Sequence, residues 1–435
     1  MPNRLQIKVW KSTQLPPDWF KRANVDDKDC EAVERSVKEI IAAVRKRGDS
    51  ALVEFTERFD KTKLAPRELR VTPEEVKAAY KAVSQKQIDA LKLTREKLFS
   101  NEKSALQQIG YKTSREGISV QAVMRPIESV GCYVPAGQAV YPSTLVMTTT
   151  PAKVAGVKHI AVCSPPTSKG TISPLILVAA DICEVNRIYK VGGAQAIAAL
   201  AYGTETVKPV KKIVGPGSKY VTAAKIQVSK DVAIDMPAGP SEILILADKD
   251  ANPKLAAADM ISQAEHGADS VAGLITPSRK LAEEVLRCLD EQSAAAERQD
   301  IVEKALPTKG FIIICKEDPD DMVALANSFA PEHLEIVTKA PKEIADRITS
   351  AGLILLGPNS PVALSDYAAG TNHVLPTGGF GSVYSGLSAL DFTRRVSIVE
   401  ATKDGLQRVK PAIQVLTEAE KLPNHFKAVE ARFEQ

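Results

Sequence analysis

The stretch "HIAVCSPPTSKGTISPLILVAADICEVNRIYKVGG", residues 159–193, sets the class of the fold. A β-branched run closed by Ser and Pro (159–165) leads into an apolar helical pattern, "PLILVAADIC" (174–183), and then into a second β-branched run that stops at paired glycines (187–193). Strand, helix and strand in that order form a βαβ unit, whose two strands lie parallel. The alternation continues outward. "KKIVGPG" (211–217), "SEILILAD" (241–248), "SVAGLIT" (270–276), "GFIIICK" (310–316) and "GLILLG" (352–357) read as buried strands, with helices such as "AQAIAALAYG" and "PKLAAADMISQAEHG" between them. This predicts an α/β protein with mainly parallel sheets and helices on both faces.

The flanks differ. "EAVERSVKEIIAAVRKRGDSALVEFTERFD" (31–60) and "PEEVKAAYKAVSQKQIDALKLTREKLFSNEKSAL" (73–106) are long amphipathic helices rich in Lys and Glu, and the stretch from about Asp391 also reads as helical and charged. At 435 residues and 44% hydrophobic, the chain can bury a large core, and its length points to two or three domains. Lys plus Arg number 57 against 53 for Asp plus Glu, without a basic stripe, which argues against nucleic acid as a partner. No run reaches about 18 apolar residues, and the N-terminus has no apolar stretch behind a basic start, so neither export nor membrane spanning is expected. The six cysteines are scattered without a Cys-x-x-Cys pair, the usage of a reduced, cytoplasmic protein.

Ligands of parallel sheets sit beyond the strand C-termini, which directs attention to the loops there. "GCYVPAG" (131–137), "VGGAQA" (191–196) and "VGPGSKY" (214–220) are rich in glycine, and the latter two run into helices whose N–H groups could meet a phosphate. None matches Gly-x-Gly-x-x-Gly, so each reads equally as a tight turn. In "MISQAEHGAD" Gln263 and His266 stand at i and i+3 near the end of a helix that Gly267 would cap. They could share a metal ion, or His266 could simply complement the helix dipole. Asp366 and His373 in "SDYAAGTNHVLPT" and His425 in "LPNHFKAV" are further potential ligands. "APEHLE" (330–335) sets a carboxylate and an imidazole side by side, Glu332 and His333, in a chain with five histidines.

Six motifs taken together, "VGGAQAIAALAYGT", "GPGSKYVTAAK", "DMPAGPSEILILAD", "SQAEHGADS", "FAPEHLEI" and "DYAAGTNHVLPT", resemble the L-histidinol dehydrogenase family over about residues 27–425. The resemblance implies oxidation of L-histidinol through L-histidinal to L-histidine, the close of histidine biosynthesis, with two NAD molecules, on an intertwined homodimer with one zinc ion per site. It implies Gln263, His266 and Asp366 as zinc ligands from one subunit and His425 from the other. Ser241, His373 and Glu420 would hold the substrate, together with the zinc ligands and His333. Tyr133, Gln195 and Ser218 would touch NAD. Two departures stand out: Ser218 where the family usually has Asn, and Ala136 in "VPAG" where Gly is commoner.

The expected organisation is two Rossmann-like parallel-sheet domains, with a helical N-terminal region and a helical C-terminal tail. An N-terminal segment (1–24) precedes a large domain (25–128 plus 243–387) bearing zinc and catalytic residues. A nucleotide-side domain (129–242) and a dimer-contact tail (388–435) complete it. Alcohol oxidation needs a base for the hydroxyl proton as hydride leaves; aldehyde oxidation first needs water added. His333 suits the first task and Glu332, if burial raises its pKa, the second. The alternatives are a related zinc and NAD dehydrogenase for another small polar alcohol, and a zinc hydrolase with Glu332 as base.

Overall fold

The computed structural model describes residues 4–15, 27–136, 139–236 and 239–434. Gly137 of "GCYVPAG", Pro237 and Ala238 of "DMPAGP", and the expected boundary at 24/25 lie outside them. Strand β1 (Lys8–Lys11) precedes helices α1 (Asp27–Arg47), α2 (Asp49–Asp60), α3 (Pro73–Ala79) and α4 (Gln85–Gln107), then a hairpin of β2 (Tyr111–Arg115) and β3 (Ile118–Pro126). A first winding follows: β4 (Ser129–Tyr133), α5 (Pro142–Ala155), β5 (His159–Ser164), α6 (Pro174–Ile182), β6 (Arg187–Lys190), α7 (Gly193–Tyr202), β7 (Lys212–Val214), α8 (Lys219–Val228) and β8 (Ala233–Ile234). The second winding opens with β9 (Glu242–Ala247), α9 (Pro253–Ala264), β10 (Val271–Thr276), α10 (Arg279–Ser293), α11 (Gln299–Lys309) and β11 (Gly310–Ile314). It continues through α12 (Pro319–Phe329), β12 (His333–Val337), α13 (Pro341–Ala345), β13 (Leu353–Leu356) and α14 (Val362–Tyr367). The chain then adds β14 (Thr393–Ala401), α15 (Lys403–Ala419) and α16 (Pro423–Glu430).

The two windings give the same strand order. The first sheet runs β6-β5-β4-β7-β8 and the second β1-β11-β10-β9-β12-β13, every pairing parallel. Numbered by their own strands, both read 3-2-1-4-5, the order of the mononucleotide-binding fold, so two Rossmann-like sheets are present. The N-terminal segment supplies an element not foreseen: β1 extends the second sheet beside β11.

Packing differs from the expected grouping at residues 25–128. Val37, Ile40, Val44 and Leu52 bury against Ile197 and Leu200 of the first winding, and Leu91 and Leu98 join the core on the sheet's other side. The N-terminal helices therefore share the first sheet's core, not that of the second. The second sheet has its own two cores, one under α9 to α11 and one under α12.

The tail beyond Asp391 is not helical from its start. "TRRVSIVEA" mixes charged residues with four β-branched ones, and it forms β14 antiparallel to β3 over nine register pairs, with β2 on the far side. This small sheet and its two helices carry exposed apolar side chains, among them Ile398, Val399, Val415, Leu416 and Leu422.

Candidate active site

Helix α12 ends at Ala330, in the left-handed region at φ 48°, and the chain enters β12 within three residues. That abrupt entry puts Glu332 and His333 at the N-terminal edge of the second sheet, both buried. Ligand groups were expected at strand C-termini; here they gather at the opposite edge, where β9, β12 and the end of α9 meet. Glu332 Oε2 accepts the Glu242 N–H at 2.7 Å, and its backbone carbonyl accepts the Leu353 N–H at 2.9 Å. A Cβ at Gly352 would lie 2.6 Å from that carbonyl oxygen, so only glycine allows this close approach.

His333 Nδ1 lies 3.2 Å from the Glu242 carbonyl, which can only accept, so Nδ1 carries the proton. Nε2 makes no hydrogen bond and faces Asp366 Oδ1 at 3.6 Å. Burial disfavours the imidazolium, but the carboxylates of Glu332 and Asp366 outweigh it and push His333 up to about 10. Burial likewise pushes Glu332 up, against the pull of His333. Around Asp366 burial is outweighed by His333, His373 and His266, which hold the carboxyl below its ordinary value. His373 is pinned through both ring nitrogens, to the Thr144 hydroxyl and the Asp366 carbonyl, each at 3.3 Å.

Gln263 is 1% exposed and its Nε2 has no partner. With His333 Nε2 and Asp366 Oδ1 it makes three orphaned buried polar atoms at one edge of one sheet, a pattern that calls for a bound group. Oxygen and imidazole donors from Gln263, His266 and Asp366 suit a borderline ion such as zinc. Among the described residues no three His, Cys, Asp or Glu side chains converge closely enough to hold a metal ion by themselves. The set within one chain is thus one histidine, one carboxylate and an amide, short of a full shell. His425 and Glu420 stand exposed on the C-terminal arm, and among the described residues no hydrogen bond or ion pair joins them to this cluster. Ser241 precedes β9, half-buried, its carbonyl accepting the Val271 N–H.

The glycine loops sit at the C-terminal edge of the first sheet, as expected. Tyr133, ending β4, accepts the Gly193 N–H on its hydroxyl oxygen at 3.1 Å. Gln195, in the first turn of α7, is 1% exposed with both side-chain polar atoms unpartnered. Gly215, at φ 117°, presses on Tyr133, where a Cβ would lie 2.2 Å from the carbonyl oxygen. A buried ion pair fixes this loop: Asp235 accepts the Gly215 N–H at 2.7 Å, and Lys225 bonds both Asp235 and the Gly215 carbonyl. Ser218 is the N-cap of α8, exposed, with a hydroxyl that makes no capping bond. Asp235, Glu242 and Thr144 escaped sequence reasoning, although Asp235 and Glu242 lie inside the quoted "DMPAGPSEILILAD". The cysteines are unpaired, and burial pushes Cys132 up to about 12 and Cys163 up as well, so neither supplies a thiolate.

Glycine-rich loops edge one sheet, and a buried carboxylate–imidazole pair with unpartnered polar atoms edges the other; comparison with known proteins gives the class, an oxidoreductase. The model of the family described as histidinol dehydrogenase matches residues 23–433. A histidinol dehydrogenase from Methanocaldococcus jannaschii is 44% identical over 95% of this chain and 95% of its own. One from Vibrio parahaemolyticus is 43% identical over 92% of each. A crystal structure of histidinol dehydrogenase from Elizabethkingia anophelis superimposes with a TM-score of 0.92 at 36% identity, covering 99% of this chain and 98% of that one. The chain belongs to the histidinol dehydrogenase family. No helix among the described residues is long and apolar enough to cross a membrane.

Proposed function

We propose that this chain oxidises L-histidinol through L-histidinal to L-histidine, using two NAD molecules and one zinc ion per site, on a homodimer whose sites are shared. The observation that carries the reading is the unpartnered Nε2 of His333 facing Asp366, with the unpartnered Gln263 at the same edge of the sheet. Gln263, His266 and Asp366 would hold the zinc, with His425 of the partner subunit completing the set. Zinc bound there would supply a Lewis-acidic anchor for a substrate nitrogen.

The protein's own groups account for the proton traffic. Asp366 committed to a cation no longer serves His333 as a free carboxylate, and burial, the largest influence on that ring, then drives it toward the neutral base. His333 takes the alcohol proton and later that of the aldehyde hydrate. Glu332, raised by burial and oriented by the Glu242 N–H, activates the water. Ser241, His373 and Glu420 hold the polar ends of the substrate, and Tyr133, Gln195 and Ser218 line the NAD. Homodimer formation is supported by the apolar arm, which leaves Val415 and Leu416 more than half exposed in one chain. Cytoplasmic residence is supported by six unpaired cysteines.

The test is to incubate the zinc-loaded protein with NAD and L-histidinol and follow NADH. Two NADH per histidinol are expected, lost on chelation and restored by zinc. Absence of NADH with intact zinc would return the site to the hydrolase reading.

A further inference from the structure

Glu335 follows His333 by two residues on β12, so the two side chains leave the same face of the strand. On that face Val337 packs with the α9 core, whereas Leu334 and Ile336 face α12. Glu335 is only 2% exposed there. Its carboxyl accepts the Val362 N–H through Oε1 at 3.1 Å and lines one small cleft with the carboxyl of Asp259 on α9, whose charge bears on it. Val362 opens α14, so Glu335 satisfies one of that helix's orphan donors, one turn before Asp366.

The spacing explains why these partners matter. Asp259 and Gln263 fall at i and i+4 on α9, one stripe of the helix, and His266 follows in the turn just past its end. Because β9 and β10 are parallel, the helix joining them runs antiparallel to β12. Two residues along a strand advance about 6.6 Å and four along a helix about 6 Å. Fixing Asp259 on Glu335 therefore brings Gln263 level with His333. The pair lines a small cleft with Asn252, Val337, Gly357 and Ser360, at the edge of the sheet opposite Glu332, so it does not touch the reacting atoms. Two carboxyls bond only if one carries a proton, and burial together with Asp259 pushes Glu335 up to about 9.

We propose that the Asp259–Glu335 pair is a positioning device that sets the register of α9 and α14 on β12, bringing Gln263, His266 and Asp366 around Nε2 of His333. It rests on the reading of those three as metal ligands. Holoenzyme variants test it through zinc affinity in chelator competition, kcat and KM for histidinol, and apoprotein Tm. Glu335→Gln keeps an acceptor for Val362 and a donor for Asp259, so zinc affinity and kcat should stay within about threefold of wild type. Glu335→Leu replaces a buried acid by a similar apolar volume, so Tm should hold or rise while zinc binds about 10- to 100-fold more weakly and kcat falls. Asp259→Ala, at a half-exposed helix position, should reproduce that loss should the Leu variant not fold. Wild-type zinc affinity and kcat in both the Leu and Ala variants, or a Gln variant as defective as they are, would overturn the proposal. If wild type itself takes up no zinc, the metal reading fails separately, and the kcat contrast between Gln and its two companions still decides the positioning role.

Discussion

The proposed base, His333, is oriented by a single backbone carbonyl. Glu242 O accepts a hydrogen bond from Nδ1–H and leaves Nε2 without a hydrogen-bond partner, and Glu332 is tied down by the amide of the same residue. Glu332→Gln keeps an acceptor for that amide, so the variant should fold and lose only proton transfer. His333→Asn should depress both half-reactions by about 10²- to 10⁴-fold, the usual cost of losing a general acid or base. Glu332→Gln should spare alcohol oxidation and depress aldehyde oxidation; separate assays with histidinol and histidinal check this, and equal loss in both would remove the water-activating role. The pair was legible because its members are neighbours in sequence. Asp259 and Glu335 were not, because their meeting depends on how a helix registers on a strand, and nothing in a linear sequence of 75 intervening positions states it.

Elements between residues 159 and 357 were legible because fully buried parallel strands are short β-branched runs stopped by glycine or proline. β14 was misread because its arginines and glutamate resemble the charged helices around it, and its strand character is decided by pairing with β3. The gathering of Glu332 and His333 at the N-terminal edge of the second sheet was also hidden, since the rule for parallel sheets directs attention to strand C-termini. At the head of α8, Ser218 leaves its hydroxyl uncommitted. An amide there reaches further than a hydroxyl, so Ser218→Asn should tighten NAD by about 1 kcal/mol, one net hydrogen bond, without altering zinc content. Isothermal titration measures it; unchanged or weaker binding would show a loop adapted to serine.

The whole molecule is two windings of one topology, plus an arm with little core of its own. If His425 crosses to a second subunit, co-refolded His425→Ala and His333→Asn chains should regain a fraction of wild-type activity. Mixed dimers would then hold one site with both defects and one with neither. Mixed dimers shown to form yet remaining as inactive as their parents would confine His425 to its own subunit or to no site. The arm has a temporal side as well. β3 waits for a strand that lies roughly 270 residues downstream. At ribosomal rates of about 5–20 residues per second, that interval is on the order of 15–50 s. Throughout it the β2–β3 hairpin offers an unpaired edge to whatever passes, so a growing chain is most exposed to mispairing, and most in need of a chaperone, before its last forty residues emerge.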